Sequence, residues 1–156
     1  MPESHIVRLE FPSLFDMIDL VQAVSDQLAR HLGLDEDSQH WVGVAVRESV
    51  INAIKHGNKG DASKMVTVEF TMVPANSPCE LVIKVRDRGE GFDPEELPDP
   101  LAPENLLKAS GRGIFFMRSF MDDVQIVRAA GGGMEVRMVK RFTPAPNAGA
   151  TRDSAS

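Results

Sequence analysis

Polar and apolar residues alternate through His5-Ile6-Val7-Arg8-Leu9-Glu10-Phe11, the period of a half-buried strand, and Pro12 ends it. From Leu14 to about Leu32 the apolar positions Phe15, Ile18, Val21, Val24 and Leu28 recur every three or four residues. That spacing predicts an amphipathic helix, and Gly33 closes it. Asp35 is placed to cap a second helix with further acids in its first turn, running to Lys55 or His56 before the stop signals Gly57 and Gly60. Trp41, Val42, Val44, Ala45, Val46, Val50, Ile51, Ala53 and Ile54 leave that helix little polar surface, so it is expected inside the protein, across a sheet. Alternation returns at Met65 to Met72 and again at Leu81 to Val85. The turn Ala75-Asn76-Ser77-Pro78 between them makes a hairpin.

After Val85 the pattern breaks. Arg86-Asp87-Arg88-Gly89-Glu90-Gly91-Phe92 leaves the strand, and prolines follow at 94, 98, 100 and 103. The connection runs on to Ser110, a length that in a compact domain is usually functional or disordered. Gly111-Arg112-Gly113 then opens the apolar run Ile114-Phe115-Phe116-Met117, a helix continuing to Met121. Val124 to Val127 reads as a strand, Gly131-Gly132-Gly133 as a turn, and Met134 to Val139 as a last strand. One domain is expected over residues 1–142, with a disordered Pro/Ala/Gly/Ser-rich tail over 143–156. Strands adjacent in sequence pair antiparallel and the helices are segregated. The expected fold is therefore a two-layer α/β (α+β) sandwich, a mixed but mostly antiparallel sheet with helices on one face, rather than a doubly wound parallel sheet.

Composition narrows the classes. The 156 residues are 42% hydrophobic and 26% charged, as in soluble globular chains. The net charge of −6 disfavours a broad nucleic-acid surface but leaves room for a local phosphate pocket. Cys79 is the only cysteine, which excludes an internal disulfide and a thiolate metal cluster. Neither a signal-peptide pattern nor a bilayer-spanning apolar run is visible, so no membrane association is expected and the cytoplasm is the default location.

Three stretches could carry chemistry. Glu48 and Asn52 are four residues apart, which on a helix puts them on one face a turn from each other. A carboxylate on a mostly buried helix needs a partner or a metal. An amide oxygen with phosphate oxygens is a reasonable shell for Mg²⁺. The plain alternative is that Glu48 reaches solvent or pairs with Arg47 or Lys55, and that Asn52 caps a neighbouring loop. His56 extends the row, but no Cys/His cluster accompanies it, and packing or hydrogen bonding near the helix end is expected rather than zinc ligation. In Asp87-Arg88-Gly89-Glu90-Gly91 the spaced glycines permit close approach of a ligand, and an Asp at a strand end can accept from an amine such as that of adenine. A calcium loop does not fit, because glycines occupy its third and fifth positions. A simple turn does fit. Gly111-Arg112-Gly113 would expose N–H groups at a helix start, where anions are favoured, and Arg112 could add a bidentate phosphate contact. No P-loop motif is present.

Together and in this order, these stretches resemble the boxes of the GHKL ATPase superfamily. Within it, they are most similar to the anti-sigma factor and serine-protein kinase family of bacterial partner switches. Glu48-Ser49-Val50-Ile51-Asn52-Ala53-Ile54-Lys55-His56-Gly57 looks like its N box, Asp87-Arg88-Gly89-Glu90-Gly91-Phe92-Asp93-Pro94 its G1 box, and Gly111-Arg112-Gly113-Ile114-Phe115-Phe116-Met117 its G2 box. The resemblance implies a Bergerat fold holding ATP and Mg²⁺ under a mobile lid near Phe92 to Ser110. It makes Glu48 the general base, Asn52 the Mg²⁺ ligand, and Asp87 the acceptor of the adenine amine with Gly89 and Gly91 seating the base. Gly111 and Gly113 would hinge the lid, Arg112 would reach phosphate oxygens, and His56 and Asn58 would lie near the phosphates.

The family often has Gly-Thr at the start of the final strand, where the threonine supports the Asp of the adenine site; here Gly133-Met134 stands there. Methionine cannot make that bond, so Asp87 is expected to rely on water or another side chain. A sensor histidine kinase would need a dimerising helix with a phosphoacceptor His, for which the 47 residues before Glu48 leave no room. The gyrase and chaperone branches would need a following transducer domain. The expected function is a serine/threonine-protein kinase that phosphorylates a small anti-anti-sigma protein and alternatively sequesters a sigma factor. A non-catalytic ATP-binding anti-sigma or scaffold module is the alternative, and the resemblance also suggests a homodimer.

Overall fold

The computed structural model describes residues 5–73, 79–90 and 117–143. Strand β1 (His5–Pro12) leads into helix α1 (Asp16–Leu32) and helix α2 (Glu36–Asn52), which a π-turn over Ala53–Gly57 extends. Strands β2 (Met65–Val73), β3 (Cys79–Arg86), β4 (Asp123–Arg128) and β5 (Met134–Phe142) complete a sheet of order β1-β2-β3-β5-β4. Every described pairing is antiparallel, as a mostly antiparallel sandwich requires. β5 inserts between β3 and β4, which places Met134 at the end of β5 close to the end of β3.

Register follows burial. Phe11 faces Val66, Val68 faces Val85, and Val85 faces Val136, so one face of the sheet collects the apolar residues of four strands. Because side chains alternate with period two, a slip of one residue would turn all of them to the other face. That face packs under Ile18, Val21 and Ala29 of α1 and Val42, Val46 and Val50 of α2. The opposite face carries Arg8, Glu69, Lys84 and Arg137 in cross-strand succession.

Both helices end as their local chemistry dictates. The Asp35 side chain accepts from the Ser38 N–H at 2.7 Å, and this bond holds its carboxyl below the usual aspartate range. Gly33 closes α1 in the left-handed region, at φ 83°. The α1 start differs from expectation: the helix begins at Asp16, with Leu14 and Phe15 exposed. Periodicity counts Phe15 as apolar, but it lies before the first helical turn and outside the core.

α2 is held on two sides. Toward α1, Gly43 lets the backbones approach, since a Cβ there would lie 3.0 Å from Asp26 Oδ1. Arg47 reaches across to Gln22 Oε1 at 2.9 Å and Asp19 Oδ1 at 3.2 Å, so it does not serve Glu48. Toward residues 117–120, which are helical, Trp41 stacks on Phe120 with ring centroids 3.6 Å apart and planes 5° from parallel. Beneath them the buried Ser49 hydroxyl donates to Ala45 O at 2.8 Å and lies 3.0 Å from Met117 Sδ. Among the described residues no helix is long and apolar enough to cross a membrane.

Candidate functional site

The last α-helical residue of α2 is Asn52, and the wider turn that follows is closed by Asn58 N–H donating to Ala53 O at 2.8 Å. Single π-turns inside helices are frequent at functional sites. The predicted helix to Lys55 or His56 is thus corrected in kind: the chain stays helical but changes pitch after Asn52. This turn delivers Gly57 against Asp87, where a Cβ on Gly57 would overlap the carboxylate oxygen Oδ2.

Asp87 follows β3 directly and is 6% exposed. Its Oδ1 accepts from the backbone N–H of Gly89 at 2.9 Å and of Met134 at 3.2 Å, while its own N–H donates to Met134 O at 3.0 Å. Side chains are excluded around it. A Cβ on Gly89 would run into Gly57 O, and one on Gly133 into Asp87 O. Gly133 also holds φ at +85°, where any other residue is strained. Oδ2 accepts no hydrogen bond among the described residues, so one oxygen of a rigidly held carboxylate is left to take a donor such as an exocyclic amine. Methionine has no hydroxyl to offer in place of the family's threonine, and among the described residues no side chain donates to the Asp87 carboxylate. The main-chain N–H of Met134 donates to it instead, and a main-chain donor does not depend on residue type.

A family model for the histidine kinase-like ATPase domain matches residues 11–140, spanning the helices, the Asp87 pocket and the last strand. The chain belongs to that family. Serine-protein kinase RsbW of Listeria monocytogenes is 25% identical over 126 residues, 77% of this chain and 78% of that protein. Serine-protein kinase RsbW of Staphylococcus epidermidis is 26% identical over 141 residues, covering 86% and 85%. The crystal structure of the RsbU and RsbW domains of a Mycobacterium tuberculosis protein superposes with a TM-score of 0.61 at 15% identity, over 90% of this chain. This ATPase domain spans 34% of that longer chain, and the likeness is one of fold.

Within this ATPase domain, Glu48 and Asn52 lie on α2, both half-buried. Neither makes a side-chain hydrogen bond or ion pair with any described residue. The alternatives of Glu48 paired with Arg47 or Lys55, and of Asn52 capping a loop, therefore find no contact among the described residues. His56 is exposed and likewise has no described partner, so the expected packing or hydrogen bond is absent there. The widened turn takes it off the row that an unbroken α-helix would have continued.

Asn58 is a correction. Its side chain is fully buried; Nδ2 donates to Ser13 Oγ at 2.8 Å and lies 3.2 Å from both Lys64 O and Met65 O. Its Oδ1 accepts from Arg88 N at 2.7 Å. Both ends of the amide are engaged, and none is left for a phosphate. Asn58 instead ties the end of the π-turn to the start of α1, to β2 and to the segment after Asp87. Gly91, the lid near Phe92 to Ser110, and Gly111, Arg112 and Gly113 lie outside the described residues.

Two contributors escaped the sequence reading. Gly57 was read as a stop signal and as the end of the N-box stretch but not as a neighbour of Asp87, and the backbone N–H of Met134 leaves no trace in a side-chain pattern. The glycine run at 131–133 was the available hint, because three successive glycines mark a place where side chains do not fit.

Proposed function

We propose that this ATPase domain is a serine/threonine-protein kinase that transfers the γ-phosphate of ATP to a small anti-anti-sigma protein and alternatively sequesters a sigma factor. The observation that carries the reading is the arrangement along one helix. Glu48 and Asn52 offer a carboxylate and an amide that have no partner among the described residues, and the same helix ends at Gly57 against the buried Asp87. The names of the relatives, serine-protein kinases matched over most of both chains, support the choice of reaction.

Asp87 Oδ2 would accept the adenine amine, its carboxylate held in place by the close packing of Gly57 and Gly89. The amide oxygen of Asn52 suits Mg²⁺, which takes oxygen ligands and keeps several waters. Among the described residues no cluster of three or more His, Cys, Asp or Glu offers an all-protein cage, so Asn52 would share the ion with phosphate oxygens and water. When bound, the ion neutralises charge on the phosphates. Glu48 takes the proton of the attacking hydroxyl as the new O–P bond forms and the bond from the γ-phosphorus to the bridging oxygen breaks, leaving ADP. The protein supplies position and electrostatics rather than covalent chemistry, as in phosphoryl transfer generally.

Incubation with labelled ATP and candidate anti-anti-sigma proteins tests the reaction, and phosphoserine or phosphothreonine on one of them is expected. Asp87→Asn is expected to weaken ATP binding about tenfold or more, since a charge-assisted hydrogen bond is exchanged for a weaker one. Unchanged ATP affinity in that variant would remove the adenine assignment.

A further inference from the structure

Arg86, the last residue of β3, precedes the site aspartate but points to the opposite face of the sheet from Val85, away from the core. Its Nη2 donates to the carbonyl of Ala130, in the turn joining β4 to β5. That turn is short of intrinsic order. Gly131, Gly132 and Gly133 all hold left-handed φ values, of +85°, +110° and +85°. Glycine loses more conformational freedom on ordering than any other residue. The backbone bonds across the turn are Ala129 N–H to Gly133 O at 2.9 Å and Gly132 N–H to Ala129 O at 3.1 Å. The Arg86 guanidinium adds a fixed charged donor from the neighbouring strand, lying 3.8 Å from where a Cβ on Gly131 would be.

The far end of the turn is the wall of the Asp87 pocket. Gly133 packs on Asp87 O, Gly132 lies near Gly89 O, and Met134 N–H holds Asp87 Oδ1. We propose that Arg86 is a positioning residue for nucleotide binding: by gripping Ala130 O it sets the glycine turn so that the Met134 N–H aims the Asp87 carboxylate. The proposal rests on the reading of Asp87 as the adenine acceptor. Arg86 itself does not touch the base. It acts through the turn, and through a bond that side-chain matching cannot see. Among the described residues the buried Nε of Arg86 has no hydrogen-bond partner, and the polar contact of the guanidinium is the one to Ala130 O.

The test is calorimetric binding of Mg-ATP to the full chain, alongside urea unfolding of each variant. Arg86→Ala is expected to raise the Kd about five- to tenfold while the protein stays folded at the assay temperature. Arg86→Lys, which keeps a charged donor within reach of the carbonyl, is expected to stay within about threefold of wild type. In an Asp87→Asn background, Arg86→Ala is expected to add less than twofold, because the carboxylate it aims is gone. A merely structural arginine would instead add its full effect in both backgrounds. Wild-type affinity in Arg86→Ala overturns the latch, and so do additive effects with Asp87→Asn. If Arg86→Ala is too unstable to assay, Arg86→Met, which keeps the aliphatic stem but no donor, takes its place in both backgrounds with the same expected and overturning results. Absence of ATP binding in the wild type would instead overturn the ATP reading itself.

Discussion

Asn52 and Asn58 flank the same π-turn, and the fold treats them in opposite ways. Asn58 is fully buried, with both ends of its amide engaged by protein groups from three other parts of the chain. Asn52 is half-buried and has no described partner. The difference extends to what each residue neighbours. On the Asn58 side stand Asp87 and its glycine shell, where backbone donors fix one carboxylate oxygen before any ligand arrives. On the Asn52 side stands Glu48, a carboxylate with no hydrogen bond or ion pair among the described residues. Residue type alone does not separate a ligand-binding amide from a structural one. What separates them is whether the hydrogen-bonding capacity is already spent.

The contrast breaks most visibly under one substitution made at both positions. Asn58→Ala orphans the Arg88 N–H and removes the donor to Ser13 Oγ and Met65 O in a buried place, and is expected to cost about 2–4 kcal/mol of stability, read as a lower urea midpoint at unchanged slope. An Asn58→Ala protein as stable as wild type would mean that the amide is not a structural tie. Asn52→Ala removes no hydrogen bond to any described residue, so its stability is expected to stay within about 0.5 kcal/mol of wild type. Its effect belongs to the ligand: Mg²⁺-dependent ATP binding should weaken while magnesium-free binding does not. A drop in stability at Asn52 as large as at Asn58 would erase the distinction between the two ends of the turn.

Much of this was legible beforehand wherever the determinants are local. Asp35 and Gly33 announce helix ends because capping is settled within a few residues, and the strands show because one face of the sheet is buried at every second position. The strand order is less visible, since nothing local says that β5 slides between β3 and β4. Residues whose roles depend on distant partners were misread. Phe15 fits the helical period, but that period does not show where the sheet ends beneath the helix. Asn58 directly follows the stretch resembling the N box, yet its partners Ser13 and Arg88 come from either side of it in the chain. The π-turn is invisible for the same reason, because the need to set Gly57 against Asp87 arises only when β3 is in place. Glu48, Asn52 and Asp87 were legible as polar residues standing out from apolar or glycine-rich surroundings, and each has a polar atom without a partner among the described residues.

The account divides the work between an end that binds and an end that reacts, and Glu48→Gln tests that division most directly. Glutamine keeps the shape of the side chain but cannot take a proton from the attacking hydroxyl. ATP affinity and phosphate transfer to a serine or threonine acceptor should be measured on the same preparation. The prediction is affinity within about threefold of wild type, with transfer reduced at least about a hundredfold. Transfer at the wild-type rate, with ATP bound equally well, would contradict the assignment of Glu48 as the base.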